Sequence, residues 1–349
     1  MKPQFDRRDW YNAKKTISYN ADLTMVITMR SYGKTYGFIK EAIRDYMRDR
    51  SQFVLVRRYD TELKEAFPKV FDSMIEHREF PGWEFKTEGS TGYARKINKK
   101  GDGKWDVICH GIPLSKQANY KGTEFPRVKK IIFDEFIRVL KTPPGYLRDD
   151  VGAFLDLLKT ISRDRTGVHA YLLGNACDLT CPYLSFVGIK TEPRQGYTWY
   201  KNKSILVHYD WNEHFAEQEF ETMVGRLVKG TNYANVMIMN EFANAGDEFI
   251  MKKTKAAKFR YGVKYQGLKF GVWVDLSEGL YFINNQIPNG EQRIYALSTS
   301  DMAPNLIMID QFAPFSKSLV RLFGSGCLRF DSQATRENFV KMMAFCGLR

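Results

Sequence analysis

The stretch "LTMVITMRSYGKTYGFIKEAIRDYMRDR" (Leu23 to Arg50) joins an apolar run, a short loop ending in Gly-Lys-Thr, and a segment with apolar residues at helical spacing. No other feature limits the fold as much. A buried strand that feeds a helix through a tight loop aims the unpaired N–H groups of the helix N-terminus at an anion. The phosphate-loop pattern G-x-x-x-x-G-K-[ST] needs a glycine turn, backbone N–H groups that cup phosphates, a lysine for the β/γ oxygens and a hydroxyl for magnesium. Gly33, Lys34 and Thr35 supply the last three letters. Thr28 stands at the leading glycine, with Met29, Arg30, Ser31 and Tyr32 between. A chance tripeptide at a helix start would read the same way, so the loop alone does not settle the matter.

A nucleotide hydrolase also needs one carboxylate to hold magnesium and another to polarise water. "RVKKIIFDEFIR" (Arg127 to Arg138) supplies both at the end of a continuous apolar run, the pattern of a central parallel strand covered on both faces. Ligands in open α/β sheets sit at the carboxyl ends of strands. Asp134 is therefore expected to support Mg²⁺ and Glu135 to act as the catalytic base. An acidic pair is often only a strand end, and its weight comes from the Gly-Lys-Thr loop upstream.

Two further strands are expected in the same sheet, at Gln52 to Asp60 and at Val168 to Ala176, the second preceded by a helix over Tyr146 to Ile161. The order predicts a doubly wound, mainly parallel α/β sheet. Asn175 at the fourth strand end would sense the γ-phosphate or water, or merely cap the strand. Arg163 and Arg165 in "SRDRTG" are candidates for trans-acting fingers, which require a ring of subunits, or are surface charges.

At 349 residues the chain is long enough for more than one core. Its five cysteines are scattered and odd in number, unlike a disulfide framework, and Cys177 with Cys181 lacks a second ligand pair for a metal. No signal peptide or membrane span is evident, so a soluble, intracellular protein with no membrane partner is expected. A formal charge of +13 favours a polyanionic partner through counterion release.

Taken together, several segments resemble the DNA-packaging ATPases of phi-29-type tailed bacteriophages. They are the loop at Thr28 to Thr35, "FVLVRRY" (Phe53 to Tyr59), "IIFDEFIR" (Ile131 to Arg138), "GNA" (Gly174 to Ala176), "GRLVKGTNY" (Gly225 to Tyr233), "GVWVD" (Gly271 to Asp275) and "LRFD" (Leu328 to Asp331). They span nearly the whole chain in the family's order. The resemblance implies a ring motor built on an additional-strand, catalytic-glutamate P-loop (ASCE) fold, using ATP and Mg²⁺ to move double-stranded DNA into a procapsid. It implies Lys34 and Thr35 as phosphate and magnesium ligands, Asp134 as second magnesium support and Glu135 as base. Arg163 matches the family's finger arginine, with Arg165 as second choice, and Lys121 matches another basic residue of the shared site. Implied partners are the portal, a structural packaging RNA and other copies of the chain, as a pentamer. The implied place of action is the portal vertex in the host cytoplasm. Two positions depart from the pattern. Thr28 replaces the first loop glycine, which bears on loop geometry, and Asp60 follows "RRY" where a related sequence has a basic residue, which bears on a subunit contact.

The expected organisation is an ATPase domain over 1–208, a small helical linker over 209–245 and a C-terminal domain over 246–349. The linker helix is expected over Asp210 to Val228, with Phe215, Phe220, Met223, Leu227 and Val228 on one face. In the last domain Lys252, Lys253, Lys255, Lys258, Arg260 and Lys264 alternate with apolar residues before a turn at Gln266-Gly267, and a third strand follows at Gly279 to Asn284. This basic meander, with Tyr261 and Tyr265, fits nucleic acid or is a solvated sheet face. The resemblance implies an RNase-H-like domain that has lost its nuclease centre. Asp275, Glu278, Asp301, Asp310 and Asp331 are the carboxylates available to a live one. Lys and Arg of "RKINKKGDGK" (Arg95 to Lys104) read as an exposed basic hairpin. Two other functions stay open: a terminase-like motor whose metal-dependent nuclease depends on Asp275, and a nucleic-acid-binding adaptor that does not hydrolyse nucleotide.

Overall fold

The computed structural model describes residues 10–98, 101–138, 145–147, 149–177, 181–189, 193–240, 249–290, 293–310 and 313–345. The chain divides into one unit of residues 1–188 and 193–243, and a second of 189–192 and 244–349.

The first unit is built on β1 (Leu23–Thr28), β2 (Gln52–Arg57), β3 (Trp83–Glu88), β4 (Thr91–Asn98), β5 (Gly101–Asp102), β6 (Asp106–Pro113), β7 (Val128–Asp134), β8 (His169–Gly174), β9 (Gly196–Tyr200) and β10 (Ile205–Asp210). They form one sheet in the order β3-β4-β6-β2-β7-β8-β1-β10-β9, with β5 pairing β4. The six strands from β6 to β10 are mutually parallel, and antiparallel β4 and β9 flank them. Strand β8 lies between the loop strand β1 and the acidic strand β7, which is the additional strand of the expected class. The four strands expected from the sequence are the central ones. Its edges were not anticipated, because β3, β4 and β9 are half-buried and lack a continuous apolar run.

The helices of this unit are α1 (Ala13–Ile17), α2 (Lys34–Asp49), α3 (Asp60–Ala66), α4 (Asp72–Glu76), α5 (Asp150–Ser162), α6 (Pro182–Val187), α7 (Glu213–Phe220), α8 (Met223–Val228) and α9 (Asn232–Met237). Phe38, Ile39, Ala42, Ile43 and Tyr46 put one face of α2 into the core beside Val26, Phe53 and Tyr171. Each large side chain so buried contributes about 1.5–3 kcal/mol. The helix stops at Arg50, whose positive φ of 64° lets its N–H reach the Tyr46 carbonyl. Helix α5 starts four residues later than the pattern suggested, because the Asp149 carboxylate caps it by accepting from Gly152 N (2.9 Å).

The expected boundary at 208 falls inside β10, and α7 joins the same core through Phe215 and Ala216. The boundary at 245 lies outside the described residues. The single connector helix is two helices, since Thr222 caps α8 through Gly225 N, and Gly225 lies against the Glu219 carbonyl where a Cβ would clash. The break turns Met223 and Leu227 into solvent, at 69% and 74% exposure, while Phe215 remains buried. The basic hairpin pairs Ile97 with Asp102 and Asn98 with Gly101, and Lys99 and Lys100 lie outside the described residues.

The second unit holds β11 (Lys258–Tyr265), β12 (Leu268–Asp275), β13 (Leu280–Asn284), β14 (Ile294–Ala296), β15 (Ile307–Met308), β16 (Leu328–Phe330), α10 (Pro314–Gly324) and α11 (Gln333–Phe345). The expected meander β11-β12-β13 forms the antiparallel centre of a sheet ordered β15-β14-β11-β12-β13-β16. Parallel β14 and β16 extend it. Leu319 of α10 and Phe339, Met342 and Met343 of α11 pack on Val263, Phe270 and Val272.

Candidate functional site

The loop leaves β1 at Thr28, the last residue of the strand, paired opposite Asp210 and fully buried. No glycine is needed there, because Thr28 is not among the positive-φ residues and the turn is made by Ser31 (φ 60°) and Gly33 (φ 81°). Gly33 is constrained twice, since a Cβ would also lie 2.3 Å from the Trp10 ring. Met29 and Tyr32 send their side chains into the core, where Tyr32 meets Tyr11 and Phe215, while Ser31 and Arg30 face outward.

Lys34 and Thr35 open α2 and turn toward neighbouring strand ends. Lys34 Nζ donates to the Met29 carbonyl (3.3 Å) and to Asn175 Oδ1. Burial pulls its pKa down to about 8 against the raising effect of Asp134. Thr35 Oγ1 donates to Asp134 Oδ1 at 2.8 Å. Asn175 follows β8, and the next residue is fixed by Ala176 N donating to the buried Asn240 side chain (3.1 Å). The carboxyl ends of three strands thus place Lys34, Thr35, Asp134 and Asn175 together.

Glu135 adopts a left-handed backbone (φ 61°) with its side chain 54% exposed. Arg57, the last residue of β2, clamps the acidic pair, with Nη2 2.7 Å from Asp134 Oδ2 and Nη1 3.0 Å from Glu135 Oε2. Burial opposes the charge on Arg57, yet Asp134 and Glu135 outweigh it and hold the guanidinium above its ordinary pKa. Sequence reasoning missed Arg57, Trp10 and Asn240. For Arg57 the signal was present, since an arginine ending a buried strand beside another that ends in two acids needs a partner.

The arginines after α5 lie elsewhere. Arg165 donates to the carbonyls of Phe125, Pro126 and Val128 at the start of β7, and to those of Ile161 and Ser162. The seven residues of β7 separate that end from Asp134 by about 20 Å. Arg165, expected as the second choice of finger, is committed to these five carbonyls. Arg163 reaches outward and touches Glu124 (2.8 Å) and the Thr123 carbonyl. Lys121, Gly122, Asp156, Lys159, Thr160 and Arg163 line one open cavity of about 390 Å³. Sequence reasoning did not single out Lys159.

In the second unit Lys252, Lys253, Lys255, Lys258 and Arg260 are exposed and Lys264 is half-buried. Lys253 lies 4.5 Å over the Trp273 ring. Tyr261 is not a stacking platform, because it packs on Tyr295 and Phe315, and Tyr265 also leans on the core. Asp275 accepts from Thr254 and Ser277, and Asp301 from Gln266 N and Gly267 N, so both carboxylates hold turns.

Residues 5–345 match the model of the podovirus DNA encapsidation protein (Gp16) family. The chain belongs to that family. It is 33% identical to the DNA packaging protein of Bacillus phage B103 over 332 residues, covering 93% of this chain and 99% of the relative. It is 32% identical to that of Bacillus phage phi29 over 333 residues, covering 95% and 96%. Among solved structures, a chain of the bacteriophage Phi-29 viral genome packaging motor assembly superposes with a TM-score of 0.76 at 27% identity, covering 97% of this chain and 99% of that one. The N-terminal domain of the phi29 DNA packaging ATPase matches 58% of this chain and 96% of its own at 30% identity and a TM-score of 0.50. This Gp16-family protein is a phage DNA-packaging ATPase. No helix among its described residues is long and apolar enough to cross a membrane.

Proposed function

We propose that this ATPase hydrolyses ATP at Lys34, Thr35, Asp134 and Glu135 and couples turnover to driving double-stranded DNA into a procapsid. It does so as a homo-oligomeric ring, a pentamer by family likeness, at the portal vertex in the host cytoplasm. The observation that carries the reading is the Thr35–Asp134 hydrogen bond, which joins the loop hydroxyl to the carboxylate of a strand two places away in the sheet. A hydroxyl and a carboxylate so placed are hard oxygen donors of the kind Mg²⁺ takes alongside phosphate oxygens. Bound there, the ion would neutralise charge on the β- and γ-phosphates.

Lys34 exchanges Asn175 for a phosphate oxygen when nucleotide enters, and Asn175 is then released toward the γ-phosphate side. Glu135 accepts the proton of the attacking water. Its Oε2 is held by Arg57 Nη1, so the carboxylate is free to take that proton only when the pair opens. Arg163 cannot serve its own nucleotide, since it lies at the opposite end of the strands from the loop. It serves instead the nucleotide of a neighbouring copy, a reading supported by its outward reach and by Lys121 on the same cavity. The basic residues Lys252, Lys253, Lys255, Lys258, Arg260 and Lys264 grip phosphates of DNA or packaging RNA without reading bases, or meet the portal.

Glu135→Gln tests the chemistry. ATP binding should persist within about threefold while turnover falls by at least about 10², measured as nucleotide affinity and steady-state hydrolysis on the same preparation. Unimpaired hydrolysis would remove Glu135 from the base role.

A further inference from the structure

The left-handed backbone of Glu135 is unusual for an acidic residue and needs support from its surroundings. That support comes from Arg58, the neighbour of Arg57 and a fully buried side chain. Its Nη1 donates to the Glu135 carbonyl (3.1 Å) and its Nη2 to the Phe136 carbonyl (2.8 Å). Its own orientation is over-determined. Nε and Nη2 donate to the buried Asp150 carboxylate (2.7 and 3.3 Å), which also accepts from Tyr183 (2.7 Å) and Leu147 N (2.9 Å). Phe133 and Tyr146 present their rings to the guanidinium at 5.2 and 4.8 Å.

Burying an ion pair gains little over apolar packing of the same volume, so the return lies in geometry. We infer that Arg58 is a positioning residue for the base: it pins the Glu135–Phe136 backbone so that the carboxylate moves only by rotating its own side chain. Two successive arginines then divide the task. Arg57 holds the carboxylate of Glu135 and Arg58 holds its carbonyl. Asp150, the first residue of α5, and Tyr183 of α6 hold Arg58 in turn. The inference rests on the proposed role of Glu135 as the base.

The test is ATP hydrolysis by the full chain, titrated in ATP, for two variants, each made with and without Glu135→Gln. Arg58→Lys keeps the charge beside Asp150 but cannot span two carbonyls. Arg58→Met with Asp150→Asn removes both buried charges and guards against loss of fold. The expected result is a kcat lower by about ten- to a hundredfold, the size of effect that follows a small misplacement of a catalytic group, with KM nearly unchanged. In the Glu135→Gln background the same changes should cost nothing further. An unchanged kcat, a rise in KM alone, or an equal loss in the Glu135→Gln background would overturn the assignment. Wild type against Glu135→Gln alone reads the base assignment itself, so the two failures are distinct.

Discussion

Arg163 and Arg165 are two residues apart and follow the same helix, yet one guanidinium meets a glutamate at the surface and the other meets five backbone carbonyls. The difference separates a rate effect from a stability effect. Arg165→Met leaves several carbonyls without donors and is expected to cost about 2–4 kcal/mol of stability, read as a lower urea midpoint. Arg163→Ala is expected to change stability by less than about 0.5 kcal/mol and to lower hydrolysis in the assembled motor by about 10³. A loss of rate without loss of stability in Arg165→Met would reverse the two roles. Spacing alone could not tell these arginines apart, because three of the five carbonyls that bind Arg165 come from residues 125–128, which only the fold brings near.

At the scale of elements, the centre of the sheet was legible because β1, β2, β7 and β8 are covered on both faces and read as continuous apolar runs. Their ends bring Lys34, Thr35, Asp134 and Asn175 together, so the grouping of these four side chains was legible too. The left-handed turn at Glu135 was not, since the side chain that bonds its carbonyl, Arg58, is distant in sequence. The edge pair β9 and β10 shows another device hidden from pattern reading. His208 of β10 stacks flat on Tyr197 of β9 (3.8 Å, 4°), and its Nδ1 meets Tyr11 OH (2.8 Å) ahead of α1. Burial holds its pKa down to about 4, with Lys15 adding to the effect. The unfolded chain binds this proton below its ordinary pKa of about 6.5 and the folded chain does not, so stability is full above that pH and falls as pH drops toward 4. The loss reaches about 3 kcal/mol from this group. His208→Phe keeps the stacking but cannot titrate, so the gap in urea midpoint between wild type and variant should shift in the variant's favour between pH 6.5 and 4. A gap constant with pH would show that His208 titrates alike in both states.

On the whole-molecule scale, the loop and the acidic pair lie at one end of the parallel strands, and Arg163 with Lys121 lies toward the other. In the function proposed above, a single copy holds two halves that cannot meet, and a ring of identical copies closes them into shared sites. Sequence reading reached the ring only through family likeness, because nothing in spacing states which end of the sheet a helix terminus occupies. The most direct test mixes two inactive chains on procapsids with DNA and ATP, one carrying Lys34→Ala and the other Arg163→Ala. In the mixture, an Arg163→Ala subunit has an intact loop and receives an intact arginine from a Lys34→Ala neighbour. Each variant alone should be silent, and the mixture should recover a measurable fraction of wild-type hydrolysis. Full hydrolysis by Arg163→Ala alone, or a mixture as silent as its parts, would contradict a site shared between neighbouring copies.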